Sequence, residues 1–373
     1  MRHIPVEKFY TINDYADHTE RHSSLEGPNG SLLFVACDAG QKLAEDVQKE
    51  YQDLLKQKGA EHTKVPLMKG ITARFEGDGH DGTCPCLTHN VSGSNVYVFQ
   101  NCMDERRGSK SINDNFQQLL QMIYTLKTNE AKKVTAIVPY YPYSRQDKPS
   151  YMKREASLSR LVADQFTAVG TDLVISYHPH STSIISNFGK DNAFRFISGN
   201  DLFLESFKQF QDDEKAIVVS TDAGGAKEVS KLAEILGIGY CIGNKDRPEK
   251  KKTKTLGISS DVSGKETAII TDDETATFSS CLEIIKHLHE KGIKQFYAGI
   301  SHLRIGPDNV HKLREAHEKH NMVELHTTDS VPQLDEITSL PFIKMHSLAQ
   351  MWAFVINRRH YNLSGSKLFK THE

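Results

Sequence analysis

The stretch ETAIITDDETATFSSCLEIIKHLHEKG, residues 266–292, decides the fold class. A β-rich apolar run ends at two adjacent acids, Asp272 and Asp273. Small hydroxyl residues follow (Thr275, Thr277, Ser279 and Ser280), and then apolar residues recur at helical spacing. The order is strand, loop, helix. KAIVVSTDAGGAKEVSKLAEILG, residues 215–237, has the same grammar.

Working outward, SLLFVACD (31–38) reads as a buried strand, and QKLAEDVQKEYQDLLKQKG (41–59) as a helix with Leu43, Val47, Tyr51 and Leu54 or Leu55 on one face. SNVYVFQN, KVTAIV, DLVISY and KQFYAGISH are further strands, and INDNFQQLLQMIYTLKTN and SLSRLVADQFTAVG further helices. Apolar strands separated by amphipathic helices predict an α/β fold of mostly parallel sheets flanked by helices. The pattern runs twice, so two domains are expected, 1–197 and 198–373, with the closing helix SLAQMWAFVINRRH returning over the second.

Composition narrows the function. The chain has 373 residues, 25% of them charged, and a net charge of −2, which gives no electrostatic reason to expect a nucleic-acid partner. No apolar run approaches the ~20 residues that span a bilayer, and the first residues lack a signal-peptide core. A soluble cytoplasmic protein with no membrane partner is expected. Six cysteines are scattered; Cys84 and Cys86, with His80 and His89 near them, form either a metal clip or, as expected of a reducing compartment, ordinary free thiols.

In parallel α/β sheets ligands gather at the carboxyl ends of strands, and four strand ends here carry unusual chemistry. YYPYSRQDK (140–148) puts Arg145, Gln146, Asp147 and Lys148 after aromatic residues, where cations suit polyphosphate oxygens. In SYHPHS, His178 and His180 stand two apart, which on a strand aims both the same way, toward a metal or an anion. STDAGGAKEV (220–229) ends a strand at Asp222 and opens a helix through Gly224 and Gly225; it is either a phosphate cradle or a tight turn that needs glycine. NKDRPEKKKTKT (244–255) is a basic, Pro-containing loop, either a solvated charge run or a cationic flap. The acids of DDETATFSS suit ribose hydroxyls, and its small hydroxyl residues suit a phosphate at a helix start.

Taken in order, INDNFQQLLQMI, VPYYPYSRQDK, VVSTDAGGAKEV, the Lys-x-Arg of NKDRPEK, the acid pair and TTDSVPQ resemble segments of the phosphoribosyl pyrophosphate synthetase family, also called ribose-phosphate diphosphokinases. The resemblance covers most of residues 95–335. It implies two phosphoribosyltransferase-like domains, ATP and Mg²⁺ as reactants, and a homo-oligomer, a hexamer built from dimers, with the active site between domains. The anomeric hydroxyl of ribose 5-phosphate would attack the β-phosphorus of ATP and AMP would leave. By position, Phe75, Arg145, Gln146 and Asp147 would contact ATP, while His180 and Asp222 would lie at the Mg²⁺–triphosphate. Lys245 and Arg247 would stabilise the transferred group. Asp222, Asp272 and Asp273 would serve the ribose, and Thr275, Thr277, Ser279 and Ser280 its 5-phosphate.

The departures bear on the acceptor. Where the family's phosphate loop has an acid, a small residue and a glycine, this chain has Ala276, Phe278 and Ser279. Serine restricts φ and adds bulk where glycine would let the backbone wrap a phosphate. His178-Pro179-His180 replaces the usual Asp-Leu-His, and RFEGDGHDG matches the adenine loop only at Phe75. Three readings follow: transfer to ribose 5-phosphate, transfer to a 5-phosphate-substituted acceptor such as ADP-ribose, or a non-catalytic regulatory relative.

Overall fold

The computed structural model describes residues 9, 11, 25–69, 71–74, 82–149, 152–189, 193–245, 256–258 and 261–364. They form two compact units. One comprises the described residues up to 104, residues 108–197 and the segment from Leu348; the other comprises Glu105–Arg107 and Ser198–Ser347.

The first unit runs β1 (Glu26–Gly27), β2 (Gly30–Ala36), α1 (Gln41–Gln57), β3 (Leu67–Lys69), β4 (Ile71–Arg74), β5 (Thr83–Cys86), β6 (Asn95–Phe99), α2 (Ile112–Thr128), β7 (Lys133–Val138), α3 (Leu158–Ala168), β8 (Leu173–Tyr177), α4 (Ile184–Asn187) and β9 (Phe194–Ile197). Its main sheet has the order β1-β2-β6-β7-β8-β9, with β3 also on β2. All pairs are parallel except β1–β2. Every residue of β6 and β8 is buried, which explains their unbroken apolar runs. Leu33, Val35, Val96 and Val98 pack toward Phe116 and Leu119 of α2 and Phe166 of α3. Phe34, on the opposite face, meets Tyr51 of α1 edge-on at 5.9 Å. Ser111 starts α2 with a reciprocal cap: its hydroxyl accepts the Asp114 N–H and the Asp114 carboxylate accepts the Ser111 N–H.

The second unit runs α5 (Asn200–Phe207), β10 (Ala216–Ser220), α6 (Ala226–Leu236), β11 (Gly239–Lys245), β12 (Leu256–Ile258), β13 (Thr267–Thr275), α7 (Ser279–Glu290), β14 (Gln295–Leu303), α8 (Val310–His320), β15 (Met322–Thr328), α9 (Asp335–Thr338) and β16 (Ile343–His346). The sheet order is β12-β11-β10-β13-β14-β15-β16, parallel throughout except β11–β12. Ile217, Val219, Ala268 and Ile270 bury one face against α7 and α8. Val218 and Ile269 bury the other against Phe207 of α5 and Leu232 of α6. Among the described residues no helix is long and apolar enough to cross a membrane.

The closing helix, α10 (Ala349–His360), corrects the expectation that it covers the second domain. It belongs to the first unit and packs along α1. Asn357 Nδ2 donates to the Tyr51 hydroxyl at 2.9 Å, and Phe354 meets Phe9 edge-on at 5.4 Å. Asn95 of β6 bonds His360 Nδ1 at 2.9 Å. Trp352 is fully buried.

Candidate active site

Both sheets carry their unusual residues at the carboxyl ends of parallel strands. In the second unit, β13 corrects the reading that the strand stops at its acids. It continues four residues past Thr271, because β14 runs on beside it: Asp272 pairs with Ile300, Glu274 with His302 and Thr275 with Leu303. The acids therefore stand on a rigid strand. Thr221, just past β10, donates its hydroxyl to Asp272 Oδ2 at 2.7 Å. Burial pushes the Asp272 carboxyl well above the usual carboxylate range, and the adjoining Asp273 raises it further. Such a pair gains from any partner that supplies hydrogen-bond donors or positive charge.

Asp222 is exposed in extended backbone, and its Oδ1 accepts the Gly224 N–H at 2.8 Å, which caps the turn into α6. The glycines here have a packing reason as well. A Cβ on Gly225 would sit 2.4 Å from Ser220 Oγ.

The loop after β13 is pinned from inside. Phe278 takes a left-handed φ of 58° and its ring is wholly buried among Cys281, Leu282 and Ile300. Thr275, expected at the phosphate, is buried, and its hydroxyl accepts the Phe278 N–H at 3.0 Å, so it shapes the loop. Thr277 and Ser279 sit at the N-terminus of α7, 3.0 Å apart through their hydroxyls. Lys312 of α8 reaches Ser279 Oγ at 2.8 Å. Under this loop Arg304 pairs with the buried Glu274 at 3.2 Å, and its N–H bonds the Thr275 carbonyl at 2.8 Å. TTDSVPQ lies at the end of β15, where Thr328 and Ser330 hydroxyls bond the Ser301 carbonyl and Ser330 bonds His302 Nδ1.

In the first unit the loop after β7 is held by Tyr141, whose hydroxyl donates to the Ser159 carbonyl at 3.1 Å. Ser157 Oγ bonds the Asp147 carbonyl, and the Ser159 N–H bonds that of Gln146. With the backbone fixed at these points, the Arg145 and Gln146 side chains stay exposed and Asp147 is half-buried. The two histidines require a correction: they do not share one face of a strand. β8 ends at Tyr177, and His178 turns to φ 38°, is buried, and donates its N–H to the Ile197 carbonyl at 2.8 Å. His180 is exposed.

Phe75 and Arg247 lie outside the described residues, as do the flap residues 246–255 and His80. Lys245 closes β11, its backbone paired with Leu256 of β12. Cys84 and Cys86 are exposed free thiols on β5. Among the described residues no three His, Cys, Asp or Glu side chains gather as a metal cage. A cation that keeps water and substrate phosphates as most of its ligands needs no such cage, only one or two carboxylates, and an exposed Asp222 fits that demand.

Sequence reasoning missed Thr221, Lys312 and the Glu274–Arg304 pair. It also missed a polar network after β2 and β6, where Asp38 Oδ2 accepts from Lys110 and from Gln118, both at 2.8 Å, and Gln100 Nε2 bonds Gln118 Oε1 at 3.1 Å. Asp38 itself follows an apolar strand, as Asp222 and Asp272 do, and that was the available signal.

Residues 32–170 match the family model for the N-terminal domain of ribose phosphate pyrophosphokinase. The ribose-phosphate pyrophosphokinase of Fusobacterium nucleatum is 32% identical over 318 residues, which cover 84% of this chain and 94% of that protein. The chain belongs to the ribose-phosphate pyrophosphokinase family. The pyrophosphokinase of Caldanaerobacter subterraneus is 30% identical over 339 residues, covering 91% of this chain and 98% of its own. The crystal structure of phosphoribosylpyrophosphate synthetase from Mycobacterium smegmatis superposes with a TM-score of 0.74 at 26% identity, covering 88% of this chain and 98% of that one. The chain thus has the α/β architecture of parallel sheets flanked by helices that its sequence predicts, and it belongs to a family of diphosphate-transferring enzymes.

Proposed function

We propose that the protein transfers the β,γ-diphosphoryl group of ATP to the anomeric hydroxyl of ribose 5-phosphate, giving phosphoribosyl pyrophosphate and AMP. The observation that carries this reading is the acid pair Asp272–Asp273 on the extended end of β13, in a chain 32% identical to a ribose-phosphate pyrophosphokinase. Two carboxylates held there accept hydrogen bonds from the cis hydroxyls of a ribose. The anomeric oxygen then bonds to Pβ as the Pα–O–Pβ bridge breaks; AMP leaves with the bridging oxygen, and the hydroxyl proton passes to solvent.

In such a transfer the protein mainly positions its substrates and neutralises charge. Phe75, Arg145, Gln146 and Asp147 take ATP in this reading, and His180 and Asp222 meet the Mg²⁺ that arrives with its phosphates. Lys245 and Arg247 neutralise the diphosphoryl group in flight. Thr277, Ser279 and Ser280 take the 5-phosphate, with Thr275 holding the loop in shape. The working form is a cytoplasmic homo-oligomer, a hexamer built from dimers, on family likeness alone.

A second reading has one observation in its favour. Phe278 and Ser279 stand where the family's loop has a small residue and a glycine, and the Ser279 hydroxyl is already engaged by Lys312. An acceptor whose 5-phosphate carries a further group, such as ADP-ribose, has fewer terminal oxygens to wrap. AMP release from ATP and Mg²⁺, with ribose 5-phosphate, ADP-ribose or no acceptor, tests both readings. AMP formed only with ribose 5-phosphate supports the first, and only with ADP-ribose the second. No AMP with any acceptor overturns both and leaves a non-catalytic regulatory relative.

A further inference from the structure

Lys312 sits in an electrostatically unfavourable place. It lies in the first turn of α8, and its Nζ reaches the first residue of α7, bonding Ser279 Oγ at 2.8 Å and Asn309 Oδ1 at 2.8 Å. A helix N-terminus carries partial positive charge, so this ammonium stands at two positive ends at once. Both of its partners are neutral. The neighbouring charges of α8 are engaged elsewhere: Glu315 pairs with Lys286 at 2.6 Å and Arg314 with Glu336 at 3.5 Å. Among the described residues no carboxylate lies within ion-pair distance of Lys312. A cation, two helix N-termini and the hydroxyls of Thr277 and Ser279 converge on one spot, and an anion placed there relieves the arrangement.

We propose that Lys312 is a specificity-determining residue for the acceptor: its ammonium binds the phosphoryl group on the ribose C5, and the Ser279 hydroxyl holds that ammonium in place until the phosphoryl group arrives. The inference rests on the acceptor reading above and adds a residue that the loop alone does not contain. It also accounts for the serine. The Phe278 and Ser279 N–H groups are bonded to the Thr275 and Thr277 hydroxyls, so the loop offers a phosphate fewer backbone donors, and a side chain from α8 supplies a further contact.

The test is calorimetric binding of ribose 5-phosphate and, as the arm without phosphate, of ribose, to the full chain and to Lys312→Gln and Lys312→Arg, beside steady-state KM values. Loss of one charge-assisted hydrogen bond weakens binding by roughly tenfold to a hundredfold. The expected result is a loss of that size for ribose 5-phosphate in Lys312→Gln, with ribose binding and the ATP KM unchanged. Lys312→Arg, which keeps the charge, should stay within a few-fold of wild type and serves as the folding control. Wild-type affinity for ribose 5-phosphate in a folded Lys312→Gln overturns the assignment and leaves the acceptor reading standing. A wild-type chain that binds no 5-phosphorylated ribose overturns the acceptor reading and the assignment with it.

Discussion

Thr221 donates its hydroxyl to Asp272 at 2.7 Å, tying the end of β10 to the end of β13. The bond partly offsets what burial and Asp273 do to the same carboxyl, both of which raise its pKa. A carboxyl whose folded-state pKa is raised holds its proton more tightly when folded, so its ionisation costs stability as pH climbs from the usual carboxylate range through the raised value.

Asp272→Asn removes that cost and turns one of the two accepting oxygens into a donor, leaving a single neutral acceptor for the ribose hydroxyls. At pH 8 the variant should melt at or above the wild-type temperature, while its acceptor KM rises at least about tenfold and its ATP KM changes little. Thermal scans and steady-state kinetics report both halves. A fall of several degrees in Tm, or a loss confined to ATP, would contradict the role given to Asp272.

Thr221→Val takes away a hydroxyl donor that lowers the Asp272 pKa. The acidic limb of the acceptor kcat/KM profile should move to higher pH, and Thr221→Ser should restore it. Superimposable profiles for Val and Ser variants would sever the link between the two residues.

The Glu274 and Arg304 side chains are 2% and 19% exposed, so each neutralises a charge the other could not leave buried alone. Arg304→Met should cost about 3–5 kcal/mol of unfolding free energy, and adding Glu274→Leu should recover much of it. Denaturant titrations of the two single variants and the double variant decide the point; additive losses would mean the pair is not coupled.

Thiol reactivity should divide two from four. Cys84 and Cys86 are exposed, while Cys37, Cys102, Cys241 and Cys281 are buried, and burial lifts the Cys241 thiol to about 11. A chromogenic disulfide at pH 8 should titrate two thiols per folded chain quickly and the other four only on unfolding. Fast reaction of more than two would show that a buried strand end opens readily.

His360 is buried between Asn95 and the Leu25 carbonyl, and burial drops its pKa to about 4 from an ordinary 6.5. A base depressed on folding resists protonation, so its contribution holds above about 6.5 and is lost as pH falls toward 4. His346, depressed to about 4 as well, adds to the same limb. His360→Gln should flatten the decline in Tm between pH 6.5 and 4, and an unchanged slope would put the acid sensitivity elsewhere.

The sequence was most informative where structure is local. Unbroken apolar runs and apolar faces at helical spacing located β2, β6, β7, β8, β10, β13 and β14 with the helices that follow most of them, and put the reactive residues at strand ends, while β9, β11, β15, β16 and α8 went unread. It was least informative where a partner far along the chain decides the outcome. Asp272, Asp273 and Glu274 look like a terminator, yet β14 carries the strand through them. Lys312 lies 33 residues from Ser279, and nothing in either segment announces the other. The run AQMWAFVIN is apolar around most of its circumference, which says that α10 is buried and leaves open against what. His178 was misread because its backbone turns to φ 38° directly after its N–H makes the last ladder bond to Ile197 of β9, so the strand ends before the histidines.

The position of α10 along α1 also orders events during synthesis. A chain emerging from its N-terminus makes all the sheet strands of the first unit, and then the whole second unit, before Trp352, Phe354 and Asn357 exist. Until the ribosome has passed His360, Tyr51 and Phe9 lack their final cover. The strands of the second unit are all made before the first unit has its last helix, so the first unit cannot reach its full packing until then, and a fragment cut at residue 197 would leave an apolar face in water.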